Sequence, residues 1–343
     1  MKCNLIKQGY PQGSCLVDAG KGNSLACEAT LRQTDSGWER LISAVHLSRP
    51  ENYLSIYQSG CNFSCRKCHS WDFAKVAKGQ WWSSGDILRA CKEYARKVTL
   101  HEPRERTTAF HAQESCLCCG ACVMSGKRSR LCPGVIQDKE IFLSLQGWGP
   151  ARNIVAFTGG DLTCCTEFYI ECARLIKAET NLWVIIETNG YGLTPKNLDA
   201  LKEAGVDSFR LDLKAHDEGE HKWLTGCFNR HLLRLPEEIA KRGFVLEVVS
   251  LYIPGLVETL QLQRIARLIL EVDRDIPFTL LPFMPEYQMK RYKSPKASEM
   301  IEAHQAVKSQ GLRNVRLGST GVFVSSEEDY SLRKKHVQPS PPF

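Results

Sequence analysis

The sequence predicts an α/β fold, a partial (β/α)6-type TIM-like barrel with a small cysteine-rich insertion. Three observations lead there. From Glu51 onward, strand-like apolar runs alternate with helical patterns, the arrangement that parallel strands with right-handed crossovers require. Six or slightly more such repeats fit a barrel, whole or incomplete, better than an open doubly wound sheet. A block of closely spaced cysteines then interrupts the alternation after its first helix.

The elements follow in order. Residues 1–50 carry Cys3, Cys15 and Cys27, many glycines and no clear period, and are set apart as an N-terminal extension. The barrel is expected over 51–320. Its strands are expected at 53–59 (YLSIYQS), 153–158 (NIVAFT), 182–188 (LWVIIET), 208–214 (SFRLDLK), 244–253 (FVLEVVSLYI), 278–283 (FTLLPF) and 314–319 (NVRLGS). Helices are expected at 84–98, 166–179, 195–205, 231–242, 258–273 and 296–310. In EFYIECARLIKAE apolar residues recur every three or four positions, and NLDALKEAG ends on the glycine that closes helices. Residues 101–150 form the cysteine-rich insertion, opened by the charged stretch HEPRERTT. The polar, proline-rich tail 321–343 is expected to be disordered.

Composition bounds the function. The chain has 343 residues, 43% hydrophobic and 24% charged, enough apolar material for a large core. Its 45 Lys+Arg against 38 Asp+Glu give a charge of +7, spread along the chain. That mildly favours an acidic partner, and no basic, aromatic-lined groove for nucleic acid is legible. There is no run of membrane-spanning length, and MKCNLIKQGYPQGS lacks the apolar core of a signal peptide. The expectation is a soluble cytoplasmic protein with no membrane partner. Sixteen cysteines in a chain of this size, clustered at short gaps, read as metal ligation in a reducing cytosol rather than as disulfides. Iron–sulfur centres that must stay intact point to an oxygen-poor host.

The stretch SGCNFSCRKCHSWDFA places Cys61, Cys65 and Cys68 at C-x3-C-x2-C with no fourth cysteine behind them. Three thiolates can hold three irons of a [4Fe–4S] cluster and leave the fourth open. The amino and carboxylate groups of S-adenosylmethionine (SAM) can chelate that iron. One electron then splits the sulfonium into methionine and a 5′-deoxyadenosyl radical, which removes a hydrogen atom from a substrate. Spacing alone leaves a zinc knuckle open, completed by His69 or a distant cysteine, although zinc sites mostly use C-x2-C pairs.

Other motifs fall at the ends of the next strands: TGGD (Thr158–Asp161), ETNG (Glu187–Gly190) and DLK (Asp212–Lys214). In a parallel barrel all such ends open on one face. Gly159 and Gly160 allow close backbone approach to a ligand. Asp161 can accept from an ammonium, Lys214 can pair with a carboxylate, and Thr188 can bond a ribose hydroxyl. Singly each motif is weak; their coincidence suits a zwitterionic amino acid attached to a nucleoside.

The chain resembles the radical SAM superfamily, and within it the pyruvate formate-lyase activating enzyme group. GCNFSCRKCHSWD, FTGGDLT, ETNGYG, RLDLKAHDEGEHKWLTG, LYIPGLVET and LLPFMPEY carry the resemblance over about residues 51–318. It implies Cys61, Cys65 and Cys68 as ligands of the SAM-binding [4Fe–4S] cluster. It implies Gly159, Gly160 and Asp161 at the SAM amino group, with Thr188, Asp212 and Lys214 around the methionine and ribose. Counterparts of Glu187, Thr188 and Asp212 can also hold a monovalent cation in the family. The chain departs from the family pattern at Lys67, where an aromatic is usual, at Asp161-Leu162 in place of Glu-Pro, and at Met284 in place of histidine. A DGPG segment upstream of the first strand is missing.

The insertion reads CLCCGACVMSGKRSRLCPG, with Cys116, Cys119, Cys122 and then Cys132-Pro133. Such spacing suits a second [4Fe–4S] cluster, with a zinc loop as the alternative and Cys118 as a spare thiol. It resembles the ferredoxin-like insertion of some activating enzymes, which implies electron transfer towards, or tuning of, the SAM cluster. Cys164 and Cys165 read as packing, and the twelve-residue gaps between Cys3, Cys15 and Cys27 carry no specific signal. The function expected is glycyl-radical-enzyme activation on a protein or peptide substrate, fed by a small donor protein of the ferredoxin or flavodoxin type. The alternatives are a radical SAM maturase or biosynthetic enzyme, and a non-catalytic iron–sulfur electron carrier.

Overall fold

A computed structural model describes residues 3–35 and 37–336. Its centre is a ten-stranded sheet. In chain order the strands are β1 (Leu31–Thr34), β2 (Gly37–Ser48), β3 (Tyr53–Gln58), β4 (Gln80–Ser83), β5 (Ile154–Gly159), β6 (Trp183–Thr188), β7 (Ser208–Asp212), β8 (Val245–Tyr252), β9 (Phe278–Pro282) and β10 (Val315–Leu317). The principal helices are α1 (Ser84–Ala95), α2 (Ala109–Ser115), α3 (Glu167–Glu179), α4 (Pro195–Glu203), α5 (Glu218–Thr225), α6 (Leu235–Ala240), α7 (Thr259–Leu270), α8 (Ala297–Lys308) and α9 (Glu327–His336).

Strands β3, β5, β6, β7, β8, β9 and β10 are parallel neighbours in that order. They read as near-continuous apolar runs because both faces are covered: Ile154, Val155, Ala156 and Phe157 are all fully buried. Among the described residues no pairing joins β10 back to the far edge, so the barrel is open. Helix boundaries have local causes. Ser83 and Asp86 form a reciprocal capping box on α1, and Thr194 caps α4 with Pro195 in its first turn.

Two expectations are corrected. Residues 31–48 do not lie apart from the barrel, because β2 pairs antiparallel with β3 from Ile42↔Gln58 to Ser48↔Tyr53, and β1 and β4 pair with β2. The tail is not disordered through residue 336, since α9 packs on α8 and Gln305 meets His336 at 3.2 Å. Its charges have the order a helix dipole favours: Glu327, Glu328 and Asp329 in the first turn, Arg333 to His336 in the last. The expectation for 337–343 lies outside the described residues.

The insertion's first part seals one end of the barrel. Arg104 reaches Asp207 and the Gly243 carbonyl, which precede β7 and β8. Trp183 Nε1 donates to the Glu102 carbonyl. The fully buried Arg152, just before β5, donates to the carbonyls of Thr108 and Arg106. Glu247 of β8 accepts from the backbone N–H groups of Ala109 and Phe110 at 2.8 and 3.0 Å, satisfying the start of α2. Helix α2 therefore plugs the N-terminal ends of the strands, leaving their C-terminal ends for ligands.

Candidate active site

The loop after β3 is positioned chiefly by backbone. Its Ser64 and Arg66 N–H groups donate to the Thr225 and Leu224 carbonyls at 2.9 and 2.8 Å, so the loop satisfies orphan carbonyls at the end of α5. Asn62 N–H donates to the Asp161 carbonyl at 2.9 Å, tying the loop after β3 to that after β5. Arg66 Nε reaches the Trp223 carbonyl, and Gln288 N–H donates to the Arg66 carbonyl. Three residues of the cysteine loop dock on the segment after β9. Lys67, nearly buried, pairs with Glu286; His69 Nδ1 lies 3.1 Å from the same carboxylate; and Trp71 stacks on Tyr287 at 5.4 Å. Lys67 is thus an ion-pair anchor, and His69 faces Glu286.

Held this way, Cys61, Cys65 and Cys68 line one cavity of about 550 Å³ together with Gly159, Asp161, Thr188, Asp212 and Lys214. The expected site residues of β3, β5, β6 and β7 therefore meet, Gly160 apart. Gly160 packs below the surface, where an added Cβ would lie 2.2 Å from the Gly60 carbonyl oxygen. Phe63 N–H and Asn189 Nδ2 approach Cys61 Sγ at 3.5 and 3.7 Å, donors that suit a thiolate. Burial pushes the Cys65 thiol up, opposed by the Lys214 ammonium. Burial pulls Lys214 down, but the Asp212 carboxylate beside it and the Cys65 sulfur leave it raised overall.

The strand-end groups are partly committed to each other. Asp161 accepts four bonds, from Thr163 N–H and Oγ1 (both 2.8 Å), Thr188 Oγ1 (2.6 Å) and Asn189 N–H (2.8 Å). Its lone pairs are filled, so its direct part is to lock the β5 and β6 loops together while its charge stays at the cavity. Thr188 Oγ1 gives its proton to Asp161 and accepts from Gly190 N–H, leaving one lone pair. Asp212 Oδ1 is buried with no partner, an acceptor open to a hydroxyl or ammonium of a ligand.

Deeper in the barrel the cavity is polar. Glu187 accepts from Tyr53 OH at 2.5 Å and from Thr158 Oγ1 at 2.7 Å, while Arg210 lies 3.3 Å from it and 3.7 Å from Glu247. Burial pushes the nearby Glu51 carboxyl up, and Arg210 opposes it. Sequence reading named Glu187 alone of this array, and missed Arg210, Glu247 and also Arg40, whose guanidinium reaches the Gly160 carbonyl at 3.0 Å. An arginine at an inward position of β2 is the signal that could have found it, once β2 had been recognised as a strand.

The insertion cysteines Cys116, Cys119, Cys122 and Cys132 converge on a separate small cavity, with Cys118. Cys118 Sγ lies 3.1 Å from Asn52 Oδ1, just before β3. This group is therefore at the opposite end of β3 from Cys61, a span of roughly 20 Å for six residues. Among the described residues, no three His, Cys, Asp or Glu side chains converge on a single metal ion.

Buried His221 supports the cysteine loop from below, packing edge-on against Phe63 at 5.5 Å, with Nδ1 donating to the Cys227 carbonyl at 2.8 Å. Burial lowers its pKa to about 4. Below pH 6.5 the unfolded chain takes up a proton that folded His221 refuses. This contribution is complete above about pH 6.5 and is lost as the pH falls towards 4. Between pH 7.5 and 5 the native chain should lose about 2 kcal/mol more stability than His221→Gln. Parallel urea-unfolding profiles for the two proteins would remove His221 from this role.

Comparison with known proteins adds a partial likeness. Residues 118–269 match the model described as the Radical SAM superfamily, a span that covers β5–β8 and leaves Cys61–Cys68 outside. A Methanocaldococcus jannaschii protein named as a candidate glycyl-radical enzyme activating enzyme is 27% identical over 153 residues, 43% of this chain and 57% of the relative. The chain thus spans little more than half the length of that relative. Among solved structures, a domain of pyruvate-formate lyase-activating enzyme from Bacteroides vulgatus aligns at TM-score 0.42 and 17% identity, covering 48% of this chain and 98% of that domain. Streptococcus suis SuiB aligns at TM-score 0.49 and 12% identity, covering 85% of this chain and 55% of SuiB. Among the described residues no helix is long and apolar enough to cross a membrane.

Proposed function

We propose that this chain is a radical SAM superfamily protein that holds a [4Fe–4S] cluster on Cys61, Cys65 and Cys68, binds SAM beside it, and acts as an activating-type enzyme on a protein or peptide partner. When bound, cluster and SAM together supply a 5′-deoxyadenosyl radical able to take a hydrogen atom, in the activating case from a backbone glycine Cα. The chain's own residues do the rest. Cys61, Cys65 and Cys68 would hold three irons and leave the fourth to the amino acid end of SAM. Lys214 offers a cation to its carboxylate, the orphan Asp212 Oδ1 and the remaining lone pair of Thr188 offer acceptors, and Asp161 adds negative charge for the ammonium. Arg210, Glu187 and Glu247 line the depth of the cavity. In the same reading Cys116, Cys119, Cys122 and Cys132 hold a second [4Fe–4S] cluster, and a small donor protein of ferredoxin or flavodoxin type delivers the electron.

The observation that carries this reading is the meeting of three free cysteines with Thr188, Asp212 and Lys214 on one cavity. Anaerobically reconstituted protein, given dithionite and SAM, should release 5′-deoxyadenosine. With a partner that carries a glycyl-radical loop, it should leave a doublet glycyl EPR signal on that partner. Iron- and sulfide-replete protein that yields no 5′-deoxyadenosine would end the SAM reading. Cleavage without a glycyl signal would end only the activating assignment.

A further inference from the structure

Five cysteines that this function does not use meet at one place. Cys3, Cys15 and Cys27 from the N-terminal region, with Cys164 and Cys165 from the turn before α3, line a single small enclosed cavity. Their sulfurs are neighbours. Neighbouring Cys165 pushes the Cys27 thiol up, and neighbouring Cys164 does the same to Cys165. Gln12 Nε2 approaches Cys15 Sγ at 3.9 Å. No pair is oxidised, as all are free thiols. A packing role needs only apolar volume, which valine or leucine supplies better. Five thiols drawn from separate stretches onto one void form a donor set instead.

We propose that this cavity is a third iron–sulfur site, held by Cys3, Cys15, Cys27 and one of the adjacent Cys164 and Cys165. All-sulfur ligation selects iron–sulfur clusters or zinc. Zinc sites draw on closely spaced C-x2–4-C pairs, which this group lacks. A cubane takes one thiolate on each of four irons, and the five cysteines here supply enough to draw them from.

The position gives the site meaning. Asn62 and Leu162 line this cavity, and their chain neighbours Cys61 and Asp161 line the SAM-type cavity. The two sites share a wall about one residue thick. Gly13 is pressed against that wall, since a Cβ there would lie 2.4 Å from the Asn62 carbonyl oxygen. The insertion cysteines, by contrast, lie beyond the far end of β3. This third group is thus the nearer auxiliary centre to Cys61.

The test counts metal and needs no activity. In the full-length chain, the three cysteines of the Cys61–Cys68 loop and the five from Cys116 to Cys132 are replaced by alanine. After anaerobic reconstitution with iron and sulfide, this protein should retain about four irons and four sulfides, with broad absorbance near ~400 nm. Adding Cys15→Ser and Cys27→Ser should remove them. Because so many replacements can prevent folding, the same pair is also made alone, where iron should fall by about four per chain relative to the native protein. Unchanged iron in that pair, zinc in place of iron, or a Cys27–Cys165 disulfide in anaerobically purified protein would each overturn the proposal. SAM cleavage is scored separately, so failure here is distinguishable from failure of the main reading.

Discussion

With Cys61, Cys65 and Cys68 all replaced by alanine, 5′-deoxyadenosine formation should fall to background, a loss of at least ~10³-fold, the order seen when a catalytic group is removed. The variant is informative because the fold does not depend on the thiols. The loop is anchored by Ser64 and Arg66 N–H to the end of α5 and by Asn62 N–H to Asp161, all backbone bonds that alanine keeps. Far-UV circular dichroism should therefore match the native protein while iron drops by about four per chain. No other described cysteine lines this cavity, so no substitute ligand is at hand. Retained cleavage in a folded, iron-depleted variant would move the chemistry to another cysteine group.

The parallel part of the fold was legible because strands buried on both faces are written as unbroken apolar runs: Ile154 to Phe157 is recognisable without any partner. The strand-end motifs were legible for a related reason. Asp161, Thr188 and Asp212 each follow such a run, and parallel topology carries them to one face. What remained hidden was non-local. Strand β2 mixes Glu39, Arg40 and His46 with apolar residues, and its membership of the sheet depends on pairing with β3. Lys67 reads as an oddity until Glu286, more than two hundred residues on, closes on it. Asp161 and Thr188 were each assigned to a ligand, yet each spends bonds on the other. Cys3, Cys15 and Cys27 carry no local spacing signal, since their partners Cys164 and Cys165 arrive through the fold. The route of residues 102–115 across the strand ends is equally invisible, because it is set by single contacts such as Arg104 to Asp207.

Arg40 gives the second large effect. Its side chain is 0% exposed. Nη1 donates to Tyr169 OH at 2.7 Å, and Nη2 reaches the carbonyls of Ser59, Gly60 and Gly160 at 3.3, 3.4 and 3.0 Å. Gly60 precedes Cys61 and Gly160 precedes Asp161, so one guanidinium sets the cysteine loop against the Gly-Gly-Asp turn. The two backbones pass so closely that Gly160 admits no side chain. Arg40→Leu removes the donor and leaves those carbonyls short of a partner in a dry setting. The expected cost is about 3 kcal/mol, a large share of a total stability of about 5–15 kcal/mol. Tyr169→Phe removes one neutral partner and should cost about 1 kcal/mol, and the double variant less than the sum, because the pair is coupled. Arg40→Lys should rescue little, since a single ammonium cannot serve the tyrosine and the carbonyls with the guanidinium's fixed fork. Urea unfolding of the metal-free chain reads the stability. SAM cleavage at a temperature where the variant stays folded reads the geometry and should fall at least ~10-fold, about 1.4 kcal/mol of transition-state binding. An Arg40→Leu protein as stable and as active as the native chain would show that the two loops hold their relation without it.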